Sequence, residues 1–97
     1  MEAKLQSKII KWLKSQGCYV LKTKPGAGIP RGCPDIIALY HDRYIAIEVK
    51  ASATAPFQPG QLPTLSFLRK HNDFVYVAYP ENWSIIQNEI ASQFLLI

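Results

Sequence analysis

Residues 31–52, "RGCPDIIALYHDRYIAIEVKAS", carry the strongest secondary-structure signal in this chain. Two runs rich in β-branched and aromatic residues, at 35–40 and 44–50, are separated by a short polar segment. This pattern predicts a β-hairpin. Ionised groups beside a core are costly to desolvate unless something pairs with them. The hairpin nevertheless carries three such groups at the ends of its strands, namely Asp35, Glu48 and Lys50.

The register of the hairpin decides whether these groups meet. If His41 and Asp42 form a two-residue turn, Asp35 lies directly opposite Glu48, and opposed residues share a face with Cβ atoms about 4.5–5.5 Å apart. Glu48 and Lys50 are two residues apart and therefore project to the same side. A loop that is one residue longer or shorter would shift the register, so that Asp35 lies beside Glu48 and not directly opposite it, unless a β-bulge restores the opposed arrangement.

Two carboxylates this close predict a cation. At about 4 Å they repel by roughly 4 kcal/mol at an effective dielectric near 20, which is large against a total stability of about 5–15 kcal/mol. Lys50 offsets part of this repulsion, and a divalent ion would offset more. Carboxylate oxygens, with the Val49 carbonyl as a further ligand, suit Mg²⁺ or Mn²⁺. The alternative is a turn aspartate and an ordinary cross-strand salt bridge on a solvated sheet face.

The rest of the chain predicts one α/β domain, residues 1–97, with a mixed sheet flanked by helices. Apolar residues at helical spacing predict helices over 2–16 and 61–71 and another from Asn82, while 18–21 and 74–79 are typical of strands. The predicted order is αβββαβα. Segments 22–34 and 51–63, rich in proline and glycine, are predicted loops, the second overlapping the start of the helix at about residue 61.

Composition limits the class of protein. Hydrophobic residues make up 48% and charged residues 19%, which excludes a disordered chain. No apolar run approaches the roughly 20 residues that span a bilayer, so we expect a cytoplasmic protein, in a bacterium or a phage-infected host cell, with no membrane partner. The two cysteines are expected to be buried thiols in a reducing compartment.

Positive charge is concentrated near the N-terminus. The net charge is +4, and residues 4–31 contain lysines and an arginine but no acidic residue. The lysines of the first helix either form a solvated face or contact DNA. Lys22, Lys24 and Arg31 flank the loop before Pro34-Asp35, and we predict that they face phosphates.

The motifs resemble a known nuclease superfamily. Gly32-Cys33-Pro34-Asp35 followed by Glu48-Val49-Lys50 looks like the core of the PD-(D/E)XK nucleases. The short length, the "GxPD" and "EVK" forms and Gln61 opening a helix resemble the VRR-NUC family within it, over residues 2–79. This resemblance implies a restriction-endonuclease-like fold and metal-dependent hydrolysis of DNA.

The resemblance also implies roles for particular residues. Asp35 and Glu48 would be metal ligands, and Lys50 would activate water or stabilise developing negative charge. Gln61 matches a glutamine near the active site of these proteins, although Gln58 and Pro63 leave a second alignment open. Glu2 matches an acidic residue that many relatives place close to the metal. The resemblance further implies a homodimer that acts on branched DNA such as four-way junctions.

Two other functions remain open from the sequence. One is a nucleic-acid-binding module on the same fold without catalysis, and the other is a protein-interaction domain in which the charged residues form only a salt-bridge cluster. The apolar C-terminus, residues 94–97, is a candidate dimer contact, and the alternative is that it packs on its own core.

Overall fold

The computed structural model describes residues 2–24, 26 and 28–96. The predicted α/β class and the order αβββαβα are confirmed. In chain order the elements are α1 (Glu2–Ser15), β1 (Tyr19–Lys22), β2 (Ile36–Tyr40), β3 (Arg43–Val49), α2 (Gln61–Arg69), β4 (Val75–Ala78) and α3 (Trp83–Glu89), which continues as a π-helical turn (Ile90–Phe94).

The four strands form one mixed sheet in the order β1-β2-β3-β4. The first three strands are antiparallel neighbours, and β4 runs parallel to β3. Tyr40 pairs with Arg43 and Ile36 with Ile47, which is the register that a two-residue turn predicts. His41 takes a left-handed conformation in this turn, with φ 58°.

Alternating residues of β3 divide the core between the two faces of the sheet. Ile45, Ile47 and Val49 are fully buried with the apolar residues of α1 and α3, whereas Ala46 packs with Leu65 of α2 on the other face. Each fully buried isoleucine contributes about 1.5–3 kcal/mol to stability. The molecule therefore has three layers, with α1 and α3 on one side of the sheet and α2 on the other.

The end of α1 follows from Gly17. This glycine has φ 93°, and the Cys18 N–H donates to the Leu13 carbonyl at 3.1 Å while the Gly17 N–H donates to Lys14 at 3.0 Å. These two bonds form a Schellman motif, which ends the helix and turns the chain into β1.

The helix α2 ends at Arg69 rather than at residue 71, and β4 begins at Val75 rather than at residue 74. Asn72 accounts for the difference. Its side-chain amide donates to the Tyr44 carbonyl at 2.8 Å and accepts from the Phe74 N–H at 3.1 Å. The side chain thus takes the place of regular backbone pairing between the two elements.

The C-terminal stretch packs on its own core. Phe94 is fully buried and Leu95 packs against the same core cluster, while Ile97 lies outside the described residues. Of the two interpretations of residues 94–97, the structure supports packing on the chain itself. Among residues 2–24, 26 and 28–96, no helix combines the length and the hydropathy needed to cross a membrane.

Candidate active site

The open end of the β2–β3 hairpin brings the two predicted carboxylates together. Continuing the register beyond the Ile36–Ile47 pair puts Asp35 across from Glu48. The Asp35 carboxylate accepts a hydrogen bond from the Val49 N–H at 2.8 Å. This bond fixes Asp35 against the neighbouring strand, on the side of the sheet from which Glu48 projects.

Gln61, the first residue of α2, connects the other two charged groups. Its Nε2 donates to Oε2 of Glu48 at 2.7 Å, and its Oε1 accepts from Nζ of Lys50 at 2.8 Å. The Gln58 N–H donates to the same Oε1 at 2.7 Å. Two donors on one oxygen fix the orientation of the amide, because only the carbonyl oxygen can accept both bonds.

Lys50 is held on several sides by the loop before α2. Its ammonium donates to the Pro56 carbonyl at 3.1 Å and lies 4.7 Å from the centre of the Phe57 ring. Oε2 of Glu48 is 3.5 Å away. Only 5% of Lys50 is exposed, so these contacts replace the water that would otherwise solvate the charge.

Glu48 is buried and only partly hydrogen-bonded. Only 2% of the residue is exposed, and its Oε1 is buried without a hydrogen-bond partner among the described residues. Burial and the charge of Asp35 raise the pKa of Glu48 to about 7, although the positive charge of Lys50 by itself lowers this pKa. Leaving a buried acceptor unsatisfied costs about 1–3 kcal/mol. A divalent cation would satisfy this oxygen, and carboxylate oxygens are the donors that Mg²⁺ and Mn²⁺ prefer.

A half-open pocket of about 630 Å³ adjoins this network. The loop between β1 and β2 forms one wall and the loop before α2 forms the other, and Asp35 and Gln61 both contribute to the lining. The two loops touch at Gly32 and Gly60. A Cβ on Gly32 would lie 2.3 Å from the Gly60 carbonyl oxygen, so only glycine allows this approach.

The structure brings the other predicted site residues to different places. Arg31 lines the pocket, and the exposed Lys22 and Lys24 flank Thr23, which lines it too. Glu2 is exposed on the first turn of α1. No three His, Cys, Asp or Glu side chains of the part of the chain that the structure describes are grouped as metal ligands, so Glu2 does not join Asp35 and Glu48 in this arrangement.

The lysines of α1 lie away from the site. Glu48 is on the face of the sheet that α2 covers, and α1 packs on the opposite face. Of the two interpretations of these lysines, this position favours a solvated face. Sequence analysis missed Phe57 and the backbone groups of Pro56 and Gln58. An aromatic residue in a proline-rich loop is the one signal that could have indicated Phe57.

Comparison with known structures identifies the fold. A solved structure described as a "VRR_NUC domain" superposes with a TM-score of 0.73, covering 96% of each chain at 21% sequence identity. The resemblance that the Gly-x-Pro-Asp and Glu-Val-Lys motifs indicated is thereby confirmed: the chain has the fold of this class of nuclease domain.

The family follows from the sequence match. The model of the family described as "Archaeal holliday junction resolvase (hjc)" matches residues 3–89, and the chain belongs to this family. The matched range contains Asp35, Glu48, Lys50 and Gln61, whereas Glu2 lies just outside it. No curated protein matches the chain.

Proposed function

We propose that this protein is an endonuclease that hydrolyses DNA phosphodiesters at four-way junctions or other branched structures, with Mg²⁺ or Mn²⁺ as cofactor. The observation that carries the proposal is the buried network in which Gln61 joins Glu48 to Lys50 while Asp35 is fixed opposite. Membership of a family of junction-resolving nucleases supports the choice of substrate.

Asp35 and Glu48 would hold the metal, with the Val49 carbonyl as a further candidate ligand. Oε1 of Glu48, which has no hydrogen-bond donor among the described residues, supports this assignment, because a buried carboxylate oxygen without a donor is costly. The ion would supply acidified water and charge neutralisation on the phosphoryl group. Glu2 stays a candidate ligand by resemblance alone.

Lys50 would stabilise the negative charge that develops on the phosphate. Its ammonium is fixed by Gln61, Pro56 and Phe57, so little reorganisation is needed when the charge appears. Gln61 would hold Lys50 and Glu48 at a constant separation, and it also lines the pocket next to Asp35. Lys22, Lys24 and Arg31 would contact phosphates of the bound DNA and give a salt-dependent affinity.

A homodimer would place two such sites on one junction. The half of the sheet that α2 leaves uncovered supports a contact surface there. Tyr19, Leu21 and Leu39 are 68%, 44% and 41% exposed on it, and Tyr19 pairs directly with Leu39. Leu39 is four residues from Asp35, or about 13 Å along a strand, whereas Leu21 pairs with Ile37, two residues from Asp35, so a partner centred on Tyr19 and Leu39 would lie beside the site.

The dimer surface has its own test. Leu39→Glu should convert the dimer to a monomer in light scattering without lowering the free energy of unfolding per chain. The matched control is Ile85→Glu, since Ile85 is 70% exposed on α3. A monomeric wild-type protein, or a Leu39→Glu protein that remains a dimer, would rule out this surface.

The nuclease proposal is tested with labelled four-way junction, flap, nicked and linear DNA. Each substrate is incubated with Mn²⁺, with Mg²⁺ and with chelator. Wild type should cleave branched DNA faster than linear DNA and only with metal. Asp35→Ala and Lys50→Ala should lose at least a hundredfold in rate while still binding the junction. Wild-type protein that leaves every substrate intact, or an Asp35→Ala protein that cleaves normally, would contradict the proposal.

A further inference from the structure

The pocket beside Asp35 is larger than a phosphate group requires. Its volume of about 630 Å³ falls within the roughly 300–1,000 Å³ that pockets for small organic ligands occupy. Asp35 and Gln61 form one side, so whatever fills the rest lies next to the bond that the proposed nuclease would cleave.

The lining combines apolar walls with a few polar groups. Ile29, Pro30 and Pro59 supply the apolar surface, and Gln58 and Arg31 supply side-chain hydrogen-bond donors. Asp35 is the one carboxylate among the described residues of the lining. Within residues 2–24, 26 and 28–96, Gln58 makes hydrogen bonds through its backbone alone: its N–H donates to Oε1 of Gln61 and its carbonyl accepts from the Gln61 N–H, which leaves the side-chain amide without a partner there.

We propose that this pocket receives one unpaired nucleoside adjoining the scissile phosphate; the inference rests on the proposed nuclease function. The apolar walls contact the faces of the base and the sugar, and the Gln58 amide donates to or accepts from the base edge. An amide offers both a donor and an acceptor, so every base finds a partner and no sequence is selected. Arg31, at the exposed rim, pairs with the neighbouring phosphate.

The pocket would explain how a small domain selects branched DNA. A base stacked inside a regular duplex cannot enter a pocket at the backbone, and extruding it requires unpairing and unstacking. That cost is smallest where a base is already unpaired, as at a branch point, a bulge or a mismatch. Selectivity for branched DNA then comes from whether one nucleotide is unpaired, and not from contacts with every arm of the junction.

The test uses three duplexes that differ at one position beside the scissile phosphate. The first has a normal base pair, the second an unpaired nucleotide and the third an abasic residue. Unpaired and abasic positions both lack the cost of unpairing, so their difference reports contacts with the base alone. A fourth duplex carries unpaired 2-aminopurine at this position, whose fluorescence rises when the base leaves the stack, and is measured with chelator so that no cleavage is needed.

The variant for this test is Ile29→Ala, which removes an apolar wall at a 38% exposed position. The matched control is Ile85→Ala on α3, which lies outside the lining. We expect wild type and Ile85→Ala to cleave the unpaired duplex at least tenfold faster than the paired and abasic ones. In Ile29→Ala this preference should fall to threefold or less, with unchanged thermal stability, and the 2-aminopurine signal should fall in parallel.

The outcomes separate the pocket from the nuclease function. Equal cleavage of the unpaired and abasic duplexes would overturn the nucleoside pocket while leaving the nuclease proposal intact, and would mean that only metal, phosphate and water fill the space. Absence of cleavage on all duplexes would contradict the nuclease proposal, and the fluorescence would then decide the pocket alone. The nucleoside pocket would be overturned by a 2-aminopurine signal that does not change on binding, or by a signal that Ile29→Ala leaves unaltered.

Discussion

Gln61 donates a hydrogen bond to Glu48 at 2.7 Å from the first turn of α2, across the buried end of the hairpin. The same amide accepts from Lys50, so one side chain of the helix determines how far apart the carboxylate and the ammonium lie. The geometry of the candidate site therefore depends on how α2 is docked, and not on the hairpin alone.

Replacing Gln61 by leucine should lower both stability and cleavage. The change leaves the Gln58 N–H and one donor of Lys50 without their acceptor, and each unsatisfied buried group costs about 1–3 kcal/mol. We expect the free energy of unfolding in urea to fall by about 2–4 kcal/mol. Gln58→Ala is the control for stability alone, because its backbone N–H keeps the bond to Gln61. Equal stability of Gln61→Leu and wild type would show that the network is not formed.

Glu48 should make the metal-free protein less stable as the pH rises. Its pKa of about 7 is higher than the usual value near 4.5 that the unfolded chain would have. The folded state thus favours the protonated carboxyl, so its contribution to stability is complete below pH 4.5 and is lost as the pH rises through 7. We expect wild type to lose about 1–3 kcal/mol relative to Glu48→Gln between pH 4.5 and 8.5.

This pH dependence is measured by urea denaturation of both proteins in chelator. The difference between wild type and Glu48→Gln isolates the one carboxyl, since all other titrating groups are shared. Excess Mn²⁺ should remove most of the loss in wild type, because the ion binds the ionised form. A difference that is constant across the pH range would contradict the raised pKa of Glu48.

Gly32→Ala should separate the two loops that form the pocket. The new Cβ would meet the Gly60 carbonyl, so the loop that carries Asp35 must move away from the loop that leads to Gln61. Gly28→Ala is a matched control, since Gly28 has φ +87° against +84° for Gly32 but no atom of the described residues within 4 Å of an added Cβ. Cleavage should fall at least tenfold further in Gly32→Ala than in Gly28→Ala, and equal rates would exclude this role for the loop contact.

Phe57→Leu should weaken the fixation of Lys50. The change keeps an apolar side chain but removes the ring beneath the ammonium, an interaction worth about 0.5–2 kcal/mol. We expect kcat to fall severalfold with little change in KM, and Phe57→Tyr, which retains the ring face, to restore it. A parallel Phe67→Leu change controls for loss of an aromatic ring at an exposed position on α2. A rise in KM with unchanged kcat, or no rescue by tyrosine, would argue against the contact.

The hairpin was predictable because its register depends on local pattern and turn length. Once the two-residue turn placed Tyr40 opposite Arg43, Asp35 and Glu48 had to meet, and the structure has this register. Gln61 came only from the resemblance to nuclease motifs, because nothing in the spacing of residues indicates how a distant helix docks against the strand.

Other parts of the site were beyond sequence reasoning for a physical reason. The Pro56 carbonyl and the Gln58 N–H are backbone groups, which every sequence has, so no residue pattern marks them. The contact between Gly32 and Gly60 joins loops that are far apart in the chain. The position of the α1 lysines depended on which face of the sheet α1 covers, and the charge pattern alone does not determine that face.

Isothermal titration calorimetry with Mn²⁺ at pH 7.5 measures whether Asp35 and Glu48 together hold a divalent ion. Wild type should bind the ion, and Asp35→Asn and Glu48→Gln should each weaken binding at least tenfold because each removes an anionic oxygen ligand. Glu81→Gln, a change at an exposed position, should bind as wild type does. A wild-type protein that binds no Mn²⁺, or variants of Asp35 and Glu48 that bind it equally well, would contradict the account.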